Sequence, residues 1–267
     1  MMKTINIVDT QQLINLINSL PNHYIYRGQA NAEWSLTSSL ERIVGHDWTA
    51  DKAKKFEERS LSIFQSKFHL YDLENHAPSS KLAWLAAMQH YGVPTRLLDF
   101  SESPYVALYF ALETFNYVND NDLALYIVDY KSIIEKSLEY IRSQDSQFQE
   151  DKNSIQGKQD EIFEKFVDRF SRDIVWITEP AILNTRIDRQ SGCFLLSGNM
   201  EKKIEDLLIS PLYQDTDIQK IIIPGCLAQA IYALLRKMNL TSKNLYGDLE
   251  GLAKSIRMEI QVYAFKP

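Results

Sequence analysis

The chain has 267 residues, 45% hydrophobic and 24% charged, which is the composition of a folded globular protein rather than a disordered or fibrous one. That length suits one large domain, and a formal net charge of −6 gives no overall attraction to nucleic acid, so general nucleic-acid binding is not expected. The longest apolar runs, such as Tyr105 to Leu112, fall far short of the roughly 20 residues of a membrane helix, and the N-terminal stretch reaches Asp9 before an export signal could form.

In chain order, Thr10 to Leu20 carries Leu13, Ile14, Leu16 and Ile17 at helical spacing, and Pro21-Asn22 ends that helix. Tyr24-Ile25-Tyr26 then reads as a short strand with Arg27 at its end. Asp51 to Phe68 is a charged amphipathic helix with Phe56, Ile63 and Phe64 expected inward, and Lys81 to His90 is a more buried one containing Trp84, Leu85 and Met88. Gly92 and Pro94 stop it, because glycine tolerates the left-handed conformation and proline cannot continue the ladder. Thr95 to Phe100 follows as a strand, and Ser103 caps a helix from Tyr105 to Leu112 with Pro104 in its first turn.

The second half reads as strand Leu123 to Val128, helix Glu161 to Phe170, strands Ile174 to Ile177, Cys193 to Leu196 and Ile218 to Ile223, and helix Leu227 to Asn239. Between the halves, Ser143 to Gln159 is rich in Gln, Asp, Ser and Lys and reads as a surface insertion that tolerates deletion. Strands and helices mix without strict alternation, which predicts an α+β fold, a single mixed-sheet domain with surrounding helices. Residues 1–20 form an N-terminal helix region, 21–256 the body and 257–267 a C-terminal segment. Cys193 and Cys226 both sit in apolar stretches and read as reduced core thiols, which fits the cytoplasm.

No phosphate-binding glycine loop, dinucleotide fingerprint or metal-ligand spacing is present. The histidines at 23, 46, 69, 76 and 90 are scattered, and only His90 stands among other candidate polar residues, so no metal site is predicted. Arg27 beside Gly28 can present its planar donor fork to a phosphate, or it can pair internally with Asp99 and fix the fold. Gly28 admits a ligand or another backbone at close range. The run Gln89 to Phe100 gathers His90, Tyr91, Arg96 and Asp99 around one turn and one strand. Period-two alternation sets Thr95, Leu97 and Asp99 on one face and Arg96, Leu98 and Phe100 on the other. A buried Asp99 would require a partner, with Arg27 and Arg186 the natural ones. Asn184 to Gly192 reads either as a loop rimming the same pocket or as a solvated turn. Asn244 to Ala253 reads as a turn feeding a helix, where Asp248 and Glu250 suit the positive end of the helix dipole.

Taken together, these clusters resemble the FRG-domain family. The resemblance is carried by Tyr26-Arg27-Gly28-Gln29 with Trp34 and Ser39-Leu40, by Gln89 to Phe100, and by Ser103-Pro104 with Ala107 and Phe110. Arg186, Gln190, Gly192 and Phe194 continue it, as does Leu245 to Ala253, and Tyr26 stands where the family usually has Phe. It implies a bacterial domain, some of whose relatives are suspected of roles in phage defence. A more distant resemblance to ADP-ribosyltransferases of the arginine-serine-glutamate type rests on Arg27-Gly28, Phe100-Ser101 and Gln190-Ser191-Gly192 occurring in that order.

Those two resemblances imply a nucleotide-sized pocket with NAD as substrate and no certain cofactor. Arg27, His90 and Asp99 would be catalytic, and Gly28, Gln29, Tyr91, Arg96, Ser101, Arg186 and Gln190 would contact the ligand. Arg27 and Arg96 would hold phosphates while His90 and Tyr91 shape or stack on a ring. Gln190 and Gly192 stand where the transferases carry carboxylates, so the acid would have to come from Asp99, Glu102, Asp248 or Glu250. The alternative is a non-catalytic recognition module that binds a nucleotide, a nucleic-acid end or a protein partner.

Overall fold

The computed structural model describes residues 2–72, 77–119, 121–183 and 185–264. Its strands are β1 (Lys3–Asn6), β2 (Tyr24–Gln29), β3 (Leu98–Ser101), β4 (Leu123–Asp129), β5 (Ser171–Thr178), β6 (Gly192–Asn199) and β7 (Ile218–Ile223). They form one sheet in the order β1-β7-β4-β2-β3-β6-β5. The β1–β7 pair is parallel and every other neighbouring pair antiparallel, so the sheet is mixed and the fold is α+β.

Around the sheet lie α1 (Thr10–Ser19), α2 (Ser39–Val44), α3 (Ala50–Phe68), α4 (Lys81–His90), α5 (Pro104–Glu113) and α6 (Tyr130–Gln144). They are followed by α7 (Gln159–Ile162), α8 (Thr185–Arg189), α9 (Ile204–Leu208), α10 (Ala228–Lys237), α11 (Ser242–Tyr246) and α12 (Leu249–Ala264). No helix among the described residues is long and apolar enough to cross a membrane.

The central strand β4 shows why the sheet is covered on both sides. Ala124, Tyr126 and Val128 enter an apolar cluster with Leu85 and Met88 of α4 and Ile133 and Leu138 of α6. Leu123, Leu125 and Ile127 enter a second cluster with α1, α5, α10 and α12 through Leu13, Leu108, Ile231 and Met258. A strand buried on both faces needs an unbroken apolar run, which 123–128 supplies.

Helix starts follow their caps. Ser103 accepts a hydrogen bond from the Val106 amide ahead of Pro104, and Ser38 with Glu41 forms a reciprocal capping box at α2. Asp129 caps α6, a helix missing from the expectations above although Ile133, Ile134, Leu138 and Ile141 stand at helical spacing.

Several expectations are corrected. On α3, Phe56 and Ile63 are each 47% exposed, and the buried positions are Ala53 and Glu57. Glu57 turns inward because Arg96 places its Nε 3.0 Å from Glu57 Oε2 and Lys81 places its Nζ 3.5 Å from Oε1. Lys81 also lies 2.7 Å from Asp168, to which Arg96 is bonded as well, and the rings of Phe163 and Phe170 flank the Arg96 guanidinium. Two cations and two carboxylates thus neutralise one another in the core.

Residues 95–97 lie outside the sheet, Arg96 in that network and Thr95 bonded to Ser39 and Gln89, and β3 begins at Leu98 rather than Thr95. Within the polar insertion Phe148 and Ile155 are buried, so the segment is pinned to the core instead of lying free on the surface. The helix expected over 161–170 is α7 followed by a wider π-helical turn at Phe163–Val167. The segment expected as a loop before β6 contains α8. Cys193 is buried as expected of a core thiol, whereas Cys226 is exposed, and His76 and Asn184 lie outside the described residues.

Candidate functional site

The ladder between β2 and β3 has a single residue pair, Tyr26 with Ser101, whereas β2 pairs with β4 over six positions. The two halves of the sheet therefore part beyond that pair. A cavity of about 780 Å³ opens at the seam, within the range of roughly 300–1,000 Å³ usual for small-molecule sites.

Arg27 stands where the ladder stops. Its Nη1 donates to the backbone carbonyl of Asp99 at 2.6 Å, spanning the seam, while its Nε is buried without a partner. Burial, and then the neighbouring Arg42, hold the guanidinium below its ordinary pKa, with Asp99 acting in the opposite direction. Asp99 itself is exposed, and its carboxylate accepts from Gln89 Nε2 at 2.7 Å. The expected Arg27–Asp99 contact is therefore made through a main-chain oxygen, and Asp99 is not the buried carboxylate that the strand pattern suggested.

Gly28 serves the approach of another backbone. A Cβ there would lie 1.9 Å from the Ala107 carbonyl oxygen, so only glycine lets α5 seat on β2. Gln29 is buried, donates to the Ser35 carbonyl at 3.3 Å and leaves its Oε1 unpaired. The Ser101 hydroxyl donates to the Gln190 carbonyl at 2.7 Å, and the Gln190 amide donates to the Leu245 carbonyl at 3.3 Å, which ties β3 to the turn before β6 and to α11.

Residues 22–120 match the family model described as the FRG domain. That stretch of the chain is similar to the FRG domain. No curated protein and no solved structure matches it. The FRG segment supplies β2, α2 to α5 and β3, while α8, β6, α11 and α12 close the cavity from outside it.

Among the candidates, Arg27, Gly28, Gln29, His90, Asp99, Ser101, Arg186 and Gln190 all line the cavity. Arg186 lies over the Tyr246 ring, 4.3 Å from its centre. Arg96 and Tyr91 are corrections. Arg96 is committed to Glu57 and Asp168 in the core, and Tyr91 is 67% exposed, turned toward Phe64 and away from the cavity.

The acids are also redistributed. Asp248 accepts from the Gly251 amide at the start of α12, and Glu250 pairs with Lys254. Neither they nor Glu102 line the cavity, whereas Glu33 and Glu113 do. Glu113 Oε2 accepts from the Tyr246 hydroxyl at 2.7 Å, and its Oε1 is buried without a partner. Burial first, then Glu113, push the Tyr246 phenol well above its usual pKa, so it remains a donor. The sequence held a signal for Glu113, the lone charge in the otherwise apolar α5 segment Pro104–Glu113. Arg42, Trp34 and Lys254 also line the cavity. No group of three His, Cys, Asp or Glu side chains placed to hold a metal occurs among the described residues.

His90 Nδ1 is buried without a partner. Burial, then the positive charge of Arg186, lower its pKa from the ordinary 6.5 despite Asp248 and Glu250. The folded chain resists a proton that the unfolded chain takes up, so this contribution to stability is complete above the unfolded value and is lost as pH falls through the folded one. Urea midpoints compared between about pH 7.5 and pH 5 should fall on acidification, and His90→Gln should flatten that part of the slope. An identical slope in the variant would show that other groups carry it.

Proposed function

We propose that the FRG cavity binds the diphosphate of a nucleotide and that its chemistry is ADP-ribosyl transfer from NAD. The observation that carries this reading is the pair Arg27 and Arg42. Two guanidiniums share one cavity, neither makes an ion pair with a carboxylate among the described residues, and the Nε of Arg27 is buried and unpaired. Such a cluster is completed by an anion with several acceptor oxygens, and guanidiniums match phosphate in geometry as well as charge. Trp34, 52% exposed at the cavity wall, offers a face on which a base or nicotinamide ring can stack.

Glu113 would supply the acid that Gln190 and Gly192 cannot. In the transfer, the bond between the nicotinamide nitrogen and ribose C1′ breaks and neutral nicotinamide leaves with the electron pair. The Glu113 carboxylate stabilises the positive charge developing on the ribose. The acceptor's nucleophile then bonds to C1′ and gives its proton to that carboxylate.

The test is thermal unfolding of the purified protein with NAD, paired with mass analysis of the nucleotide. NAD should raise the melting temperature and be converted to nicotinamide, and Arg42→Ala should lose both effects. Arg42 is exposed on α2, so this variant keeps its fold more safely than one at Arg27. A shift with NAD left intact would replace catalysis by nucleotide recognition. No shift would remove the nucleotide reading altogether.

A further inference from the structure

We infer that the outer face of α12 is the contact surface of a homodimer in which two copies of this helix pack antiparallel. One face of α12 is accounted for, since Met258 and Val262 are buried in the cluster beneath the sheet and Gly251 is buried against Ser242. On the opposite face Leu249, Leu252, Ile256 and Ile260 are 82%, 42%, 54% and 64% exposed, and Ala253 is exposed between them. Leu249, Ala253, Ile256 and Ile260 follow steps of four, three and four residues, the spacing that makes a straight seam for a second helix. Scattered surface hydrophobics need no explanation, but a continuous stripe along a helix does.

The charges beside the stripe specify the occupant. Glu250 and Arg257 lie seven residues apart on one flank, with opposite sign. Arg257 makes no ion pair among the described residues, and the contact of Glu250 is with Lys254 on its own helix at 2.9 Å. When two copies run antiparallel about the middle of the seam, Leu249 meets Ile260 of the second copy and Ala253 meets its Ile256. Glu250 then meets Arg257 of the second copy, and the same pair recurs across the two-fold axis. This reciprocity is what an isologous contact requires. A parallel pairing would set Arg257 against Leu252 instead, leaving the charge uncompensated. The same helix carries Lys254 on the cavity wall, so the dimer would brace the back of the nucleotide site without blocking it.

Light scattering and sedimentation of the full chain over roughly 1 to 100 µM should show a dimer. Ile256→Asp, at an exposed position that leaves the fold intact by circular dichroism, should raise the dissociation constant by about 30-fold or more, as expected for a central interface residue. Arg257→Glu should also weaken the dimer, and adding Glu250→Arg to it should restore association. A wild-type chain that remains monomeric over that range would overturn the proposal. So would a dimer that tolerates Ile256→Asp, or a double charge swap that fails to recover association.

Discussion

Replacing Arg96 by Ala should destabilise the protein by about 3–5 kcal/mol, measured as a shift in urea midpoint at constant slope. The substitution leaves Glu57, 1% exposed, facing Asp168 with only Lys81 between them. An uncompensated buried carboxylate is costly because the surroundings cannot replace its lost hydration. The cost lies in the imbalance rather than in the loss of an attractive pair, and this yields a second result. Arg96→Met combined with Glu57→Leu removes one charge of each sign, keeps the Lys81–Asp168 contact at 2.7 Å, and should recover most of the lost stability. If Arg96→Ala costs less than about 1 kcal/mol, the network behaves as a solvated surface pair.

On the proposed transfer from NAD, Glu113→Gln should lower nicotinamide release by about 10²- to 10⁴-fold while leaving the thermal shift with NAD in place. The amide keeps the shape of the side chain and can still accept from the Tyr246 hydroxyl, so the wall between α5 and α11 should hold. It carries no negative charge for the ribose and cannot receive the acceptor's proton. Retained binding with lost turnover would assign the chemistry to Glu113. Unchanged turnover would move it to Asp99 or Glu33, the other carboxylates of the cavity.

The elements legible from the sequence were those whose local signals agree with their packing. Lys81 to His90 is helical over the expected span because Ser80 caps it, its inner residues are apolar and Gly92 follows. The run from Leu123 was equally plain, since a strand buried on both faces leaves little choice of residue. Alternation set Arg96 on the face of Leu98 and Phe100, where it is buried, but the phosphate role implied by the resemblance fails because Glu57 and Asp168, distant in the chain, claim its guanidinium. Glu57 and Phe56 exchanged inside and outside for the same reason, as a distant cation can reverse an amphipathic pattern that reads only apolarity. The cavity wall was half legible. Arg27, Asp99 and Gln190 stood in polar clusters, but Arg42 and Glu113 reach the cavity through the packing of α2 and α5, which short-range spacing does not encode.

The position of β2 bears on what can be inherited as a module. This strand lies between β4, outside the FRG segment, and β3, to which it is joined by one residue pair. β3 in turn takes its longer pairing from β6, also outside that segment. Residues 22–120 therefore hold the two lips of the cavity but neither strand's main hydrogen-bonding partner. The body that must fold around the matched stretch thus extends well beyond it, and substitutions in those flanks can reshape the far wall of the pocket without touching any matched residue.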